Sequence, residues 1–317
     1  MISPSVSIII PVYNKAAFVR ESIESALGQS YPNIEVVLVN DGSTDGSMAI
    51  LEEFKASYPN KIVLIDQKNG GVSQATNAGI AASKGDFIQF LDADDLMAPE
   101  KIKKQLKHLE VKPKDGIATC KWATFEKNFD KTVEFDLGLY RDFSNGIDFL
   151  VQAWDSSEMM AISSYLTPRD LILKAGPWDE SLTINQDGEF FCRVLLCSKG
   201  IFFEPKGKVF YRKPGASNVS QQKSYKAASS LLESYRCYER EILKVEDSKR
   251  VREAIAKNYL RFSYVIYPNY PDLLEASFRE FDRMGVDRSV KIGGPKFQLM
   301  TKLLGYKNAL KLKRFFQ

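Results

Sequence analysis

Three carboxylates crowd one short stretch of this chain: Asp92, Asp94 and Asp95, interrupted only by Ala93. They follow the apolar run at residues 87–91, which reads as a buried strand. Acids so close at the mouth of a strand repel one another, and folding does not favour them unless a cation or donor groups neutralise them. Oxygen ligands of this kind suit a hard divalent ion such as Mg²⁺ or Mn²⁺, which takes one or two carboxylates and completes its shell with phosphate and water. A plainer reading fits equally: Asp94 or Asp95 caps the helix that begins near Pro99.

Three further loops carry polar groups suited to a ligand. Asp41-Gly42, after the run at residues 34–39, allows close backbone approach, and Asp41 has acceptors for a base ring; a turn in which Asp45 caps the next helix is the alternative. Asn69-Gly70-Gly71-Val72-Ser73 opens a helix and suits an anion such as phosphate. It is neither GxGxxG nor a P-loop, so a dinucleotide-dependent dehydrogenase or a P-loop NTPase is poorly supported. Asp187 and Glu189, in Gln186-Asp187-Gly188-Glu189, complement a helix N-terminus. Trp178 and Trp154 have apolar faces and polar N–H groups that could stack on a ligand ring, with core packing as the other reading. The lone His108 lies on a lysine-rich helical stretch and is expected at the surface, leaving no histidine for a nucleophilic mechanism.

These loops need a scaffold that brings them together. Apolar runs at residues 6–10, 34–39, 62–65 and 87–91 alternate with helical patterns at 16–27, up to 54, 72–82 and 102–109. That alternation predicts an α/β fold with a Rossmann-like, mostly parallel sheet flanked by helices and ligands at the carboxyl ends of the strands. Residues 116–212 mix strands (117–125, 201–204, 209–212) with helical pieces. From about residue 222 the pattern is helical, at 230–243, 251–265 and 272–284, before Gly293-Gly294-Pro295 breaks it.

Bulk properties narrow the class. With 44% hydrophobic residues the chain can build a sizeable core, which argues against disorder. The net charge of +4 is unevenly spread. No acid follows Asp287, whereas eight lysines and arginines do, so the rest of the chain is net acidic and a nucleic-acid footprint is disfavoured. Four cysteines without CxxC spacing suggest neither a disulfide scaffold nor a zinc site, and point to a reducing compartment. No stretch reaches the ~20 apolar residues of a membrane span, and a strand-like run begins where a signal peptide would stand.

Taken together, the motifs resemble those of the family 2 inverting glycosyltransferases, which have the GT-A fold. Val6–Asn14 is similar to that family's first strand and Pro-x-x-Asn turn, and Val39–Asp45 to its Asp-Gly-Ser-x-Asp loop. Asn69–Ser73, Asn77-Ala78-Gly79, Gly85-Asp86 and Asp92-Ala93-Asp94-Asp95 resemble its long central motif. The likeness returns at Gly176–Glu180 and Gln186–Glu189, where Gln186 replaces a usual Glu, and fades after about residue 222.

The resemblance implies roles. Pro11, Tyr13, Asn14, Asp41, Asn69, Gly70, Asn77, Asp92, Ala93 and Arg212 would face the nucleotide-sugar, with Asp41 reading the base. Asp94, in a DXD motif, would bind Mn²⁺ or Mg²⁺; Asp187 would be the base, and Trp178 the acceptor-side residue. The family often has Ala-Arg-Asn where this chain has Ala75-Thr76-Asn77, so a positive charge near the donor is missing, with Lys15 or Arg212 as replacements. Tyr211–Ser217 resembles a late segment that closes over the diphosphate. Residues 1–220 would form the catalytic domain, with a nucleotide-sugar half to about 110 and an acceptor half from 111. Residues 221–317 would form a helical region ending in a basic amphipathic tail.

The implied function is transfer of a sugar, from a UDP-sugar by the family's habit, to a hydroxyl of a saccharide or lipid-linked acceptor in surface polysaccharide synthesis. The implied setting is cytoplasmic, with the tail either lying on the inner face of an anionic membrane or packed on the domain. A sugar-1-phosphate nucleotidyltransferase would need a Gly-rich basic loop where Pro11–Lys15 stands. A non-catalytic glycan-binding module would not need both Asp94 and Asp187.

Overall fold

The protein is described by a computed structural model covering residues 3–126, 131–213, 222–286 and 292–313. Its first sheet is built from β1 (Val6–Val12), β2 (Ile34–Asp41), β3 (Ile62–Gln67) and β4 (Phe87–Phe90), with the short β8 (Thr167–Pro168) at one edge. The order is β3-β2-β1-β4-β8; the first four strands run parallel and β8 is antiparallel. Central β1 explains the arrangement: Ile8, Ile9 and Ile10 are all fully buried, as a parallel strand covered on both faces requires. Crossovers α1 (Val19–Leu27), α2 (Ser47–Ser57) and α3 (Val72–Ala82) supply that cover.

A second sheet has the order β5-β9-β6-β7, from β5 (Leu96–Met97), β9 (Ile201–Arg212), β6 (Ile117–Phe125) and β7 (Val133–Glu134). The two short strands expected at 201–204 and 209–212 are one strand. Its pairing with β6 shifts register between Cys120 and Lys121, which absorbs the Pro205–Gly207 interruption. A bridge between Ala118 and Leu166 links the two sheets.

Helices α4 (Lys101–Leu109), α5 (Gly146–Ser156), α6 (Arg169–Ala175) and α7 (Gln186–Cys197) pack around the sheets. They are followed by α8 (Tyr225–Leu243), α9 (Lys249–Ile266), α10 (Pro271–Arg283), α11 (Pro295–Leu304) and α12 (Tyr306–Lys313). Buried residues of α8 to α10, among them Leu232, Ile242, Ile255 and Phe281, belong to one core continuous with the strands. Among the described residues, Phe297, Ala309 and Leu310 form a second small cluster, packed against Tyr264, Tyr267 and Phe278. Among the described residues no helix is long and apolar enough to cross a membrane.

Helix α4 differs from its lysine-rich reading. Lys101 is fully buried and donates to the Gln89 side chain, and burial lowers its pKa to about 7. His108 is half-buried rather than at the surface, with Nδ1 3.8 Å from Glu204 and Nε2 4.0 Å from Asp142.

Candidate active site

After β4 the chain turns at once. The Asp95 N–H donates to the Asp92 carbonyl at 3.0 Å, and Leu96–Met97 then pairs with β9. Helix α4 begins only at Lys101, with Glu100 at its N-cap, so neither Asp94 nor Asp95 caps it. The acids are therefore held on a turn between the two sheets. Burial, then the charges of Asp94 and Asp187, push the Asp92 pKa up to about 7, while Lys15 opposes them. Burial drives Asp95 well above the carboxylate range, reinforced by Asp92 and Asp94 and opposed by the Arg212 N–H at 2.9 Å. The other oxygen of Asp95, Oδ2, is buried without a hydrogen-bond partner.

Asp187 reaches the same field from α7. Asn185 before it adopts a left-handed backbone, φ 61°, and donates through Nδ2 to Ser234 Oγ at 2.8 Å and Tyr238 Oη at 2.7 Å. A Cβ on Gly188 would lie 2.2 Å from Tyr238 Oη, so this turn needs glycine to receive α8. Asp187 is exposed, yet the protein packed around its carboxyl raises its pKa, with the Gly188 N–H opposing. Asp92 thus feels both Asp94, two residues on, and Asp187, from a distant stretch of chain.

A divalent ion fits this chemistry. Among the described residues no group of three metal-ligating side chains gathers into a closed cage. Mg²⁺ and Mn²⁺ do not need one, because one or two carboxylates suffice when phosphates and water complete the shell. The orphaned Asp95 oxygen marks the turn as short of donors. Asp94 pairs with the Lys15 ammonium at 2.5 Å.

Several residues expected to face the nucleotide-sugar are engaged in holding loops. Asp41 is buried and accepts from the N–H groups of Gly70 and Gly71 and from Gln67, all at 2.9 Å. The anion at that helix entrance is thus Asp41 itself, a correction to the phosphate reading of the glycine turn. Gly42, at φ 68°, lets the two loops meet: a Cβ there would sit 2.6 Å from the Asn69 nitrogen. Asn14 accepts from the Thr44 N–H at 2.8 Å, tying the end of β1 to the β2 loop. Asn77 exchanges hydrogen bonds with both backbone groups of Trp178 and donates to Glu180, so it anchors the 176–180 loop. Tyr13 is 48% exposed and Pro11 is half-buried beside it, which leaves both open to a ligand; Ala93 is buried.

Two expected roles are corrected outright. Trp178 does not offer a ring face: it is buried, stacks on Phe190 at 4.8 Å and meets Phe90 edge-on. Trp154 is likewise stacked on Tyr238. Arg212 is not available to a diphosphate, because its guanidinium donates to the Asp94 carbonyl, the Glu126 carbonyl and the Glu21 carboxylate. It clamps the acidic turn from beneath. Residues 214–217 of the expected closing segment lie outside the described residues, as do Arg288, Lys291 and residues 314–316 of the tail.

Three contributors were missed in the sequence. Glu21 completes the Arg212 clamp at 2.7 Å. Arg193 joins Glu189 to the carbonyl of Pro177, bracing the 176–180 loop against α7. Tyr238 supports Asp187 from α8, with no local signal because its partner is far away in the sequence.

Comparison with known proteins decides the family. The glycosyl transferase family 2 profile matches residues 7–159, which include β1 to β4 and the acidic turn. Residues 7–159 are a family 2 glycosyltransferase segment. The fold is GT-A: the chain superposes on TarS of S. aureus, solved with UDP-GlcNAc, with a TM-score of 0.74 at 17% identity, over 99% of this chain and 92% of that one. It is 44% identical over 205 residues to an uncharacterized glycosyltransferase of Rickettsia prowazekii, spanning 64% of this chain and 62% of that relative. It is 31% identical over 303 residues to the minor teichoic acid biosynthesis protein GgaA of Bacillus subtilis, spanning 90% of this chain and 65% of that protein. The chain thus covers less than two thirds of the length of these relatives.

Proposed function

We propose that this chain transfers a sugar, with inversion, from a UDP-sugar to a hydroxyl of a saccharide or lipid-linked acceptor in bacterial surface polysaccharide or teichoic acid synthesis. The observation that supports the reading is that Asp92 lies within electrostatic reach both of Asp94 beside it and of Asp187 from a distant stretch of chain. Inversion needs one base on the acceptor and charge relief on the leaving diphosphate. Asp187 takes the acceptor proton, and its raised pKa makes it a stronger base than an ordinary aspartate. Asp94, with Asp92 beside it, would hold Mn²⁺ or Mg²⁺, which when bound supplies Lewis-acid relief to the leaving phosphates. Tyr13 and Pro11 contact the nucleoside over the loop that Asp41, Asn69 and Gly70 shape. Residues 176–180 frame the acceptor side, with Trp178 supporting them from within.

In this reading residues 1–110 handle the donor, 111–220 the acceptor, and 221–317 form the helical region. Its last helices support a peripheral contact with the inner face of an anionic membrane. Leu299, Leu303 and Leu304 are 60%, 73% and 45% exposed, among exposed Lys296, Lys302, Lys307 and Lys311. Each basic residue at such a surface contributes about 1 kcal/mol. Flotation with phosphatidylserine vesicles, with and without the residues after Pro295, tests this; equal flotation of both forms rejects it.

A donor screen with Mn²⁺, reading release of UDP, GDP or dTDP, tests the activity. UDP release lost in both Asp94→Ala and Asp187→Asn is expected. Release from none of the donors, or undiminished release in both variants, overturns the reading.

A further inference from the structure

One charge on the acidic turn is already answered. Lys15 follows the end of β1, where Asn14 takes a left-handed backbone and the Lys15 N–H donates to Ser47 Oγ at 2.9 Å. That anchorage aims the side chain across the strand ends, and its ammonium lies 2.5 Å from Asp94 Oδ2. Both side chains are mostly sheltered, at 24% and 12% exposure, so the pair is weakly screened. The Lys15 charge is also felt at Asp92.

The other candidate cations are committed elsewhere. Arg212 is tied to two carbonyls and Glu21, and Lys213 pairs with Glu126 at 2.9 Å. Helix α3 contributes none here: Thr76 is buried and donates to the Val72 carbonyl. A dication on Asp94 and an ammonium on the same carboxylate repel each other, so both cannot hold it closely. A doubly charged diphosphate beside the ion would give the displaced ammonium a new partner.

We infer that Lys15 and the divalent ion exchange for Asp94. Without donor, Lys15 neutralises Asp94 and keeps the ion weakly bound; when nucleoside diphosphate and ion enter together, the ammonium leaves Asp94 and takes a phosphate oxygen. Lys15 is then a positioning residue that makes ion and donor bind as a set and replaces the positive charge absent at Thr76. The inference rests on the reading of Asp94 as a metal ligand.

The test is Mn²⁺ binding to the whole chain by electron paramagnetic resonance, and UDP binding at saturating Mn²⁺ by calorimetry. Lys15→Met is expected to bind Mn²⁺ alone about tenfold more tightly than wild type, yet UDP about tenfold more weakly. Lys15→Arg, which keeps the charge, is expected to return both affinities to within about threefold of wild type. The opposite signs are decisive, because a merely structural lysine would weaken both affinities together. Such joint weakening, or an unchanged Mn²⁺ affinity in Lys15→Met, overturns the exchange. Wild type with no Mn²⁺-dependent UDP binding would instead defeat the metal-ligand reading itself, and the inference with it.

Discussion

The hydroxyl of Tyr238, on α8, receives a hydrogen bond from Asn185 at 2.7 Å, two residues before Asp187, the proposed base. Helix α8 thereby sets the backbone from which Asp187 projects. Asn185 sits at φ 61°, a conformation that a non-glycine residue keeps only when its surroundings enforce it. Tyr238→Phe keeps the stacking on Trp154 and removes this partner. It should cost about 1 kcal/mol of stability and lower kcat several-fold with little change in donor KM. Steady-state kinetics beside a denaturant titration would check both; a kcat equal to wild type would remove Tyr238 from the positioning of the base.

Asp187 and Asp94 should fail differently. Asp187→Asn should lower transfer by about 10²–10⁴-fold while Mn²⁺-dependent UDP binding persists. Asp94→Ala should lose that binding. The acid limb of wild-type kcat should follow the base. A base works deprotonated, and its pKa is raised by burial, so the rate should fall as pH drops through a midpoint above the usual ~4 of aspartate. A kcat profile flat down to pH 4 would rule Asp187 out.

Arg212 predicts a structural defect with catalytic consequences. Its guanidinium joins the acidic turn, the end of β6 and Glu21 of α1. Arg212→Met should destabilise by about 1.5–3 kcal/mol, the scale of a lost hydrogen bond to a charged group. Glu21→Gln should be milder, because Glu21 is 56% exposed. Chemical denaturation of both variants gives the comparison, and a Glu21→Gln loss equal to that of Arg212→Met would contradict it.

Buried Lys101 makes stability depend on pH. Its folded pKa is lowered to about 7, against about 10.4 in an unfolded chain. Between these values the unfolded state holds more protons, so this group makes stability rise as pH goes from about 7 to 10. Below pH 7 the cost of charging a buried amine is fully present. Lys101→Met should flatten that rise, and urea midpoints at pH 7 and 9.5 would measure it.

Much of this was legible in the residues. The apolar runs of β1 to β4 are long and unbroken enough to reveal a parallel sheet, and the acids at their ends stand at the edge proposed for the ligand. What was hidden depends on contacts between distant segments. Trp178 has the same chemistry whether it faces a sugar or Phe190, and only packing separates the two. Arg212 lies in a strand whose neighbours do not reveal that Glu21 and Asp94 wait on either side. Lys101 was hidden because its companions Lys103, Lys104 and Lys107 mask one lysine that faces inward.

The core shared by the strands and α8 to α10 has a practical bearing on how this molecule can be divided. A fragment stopping near residue 220 would strip the partners from Trp154 and α7 and lay bare large side chains, at about 1.5–3 kcal/mol for each one uncovered. Expression boundaries should keep α11 and α12 as well, because Phe297 meets Tyr264 of α9 and Tyr306 meets Phe278 of α10.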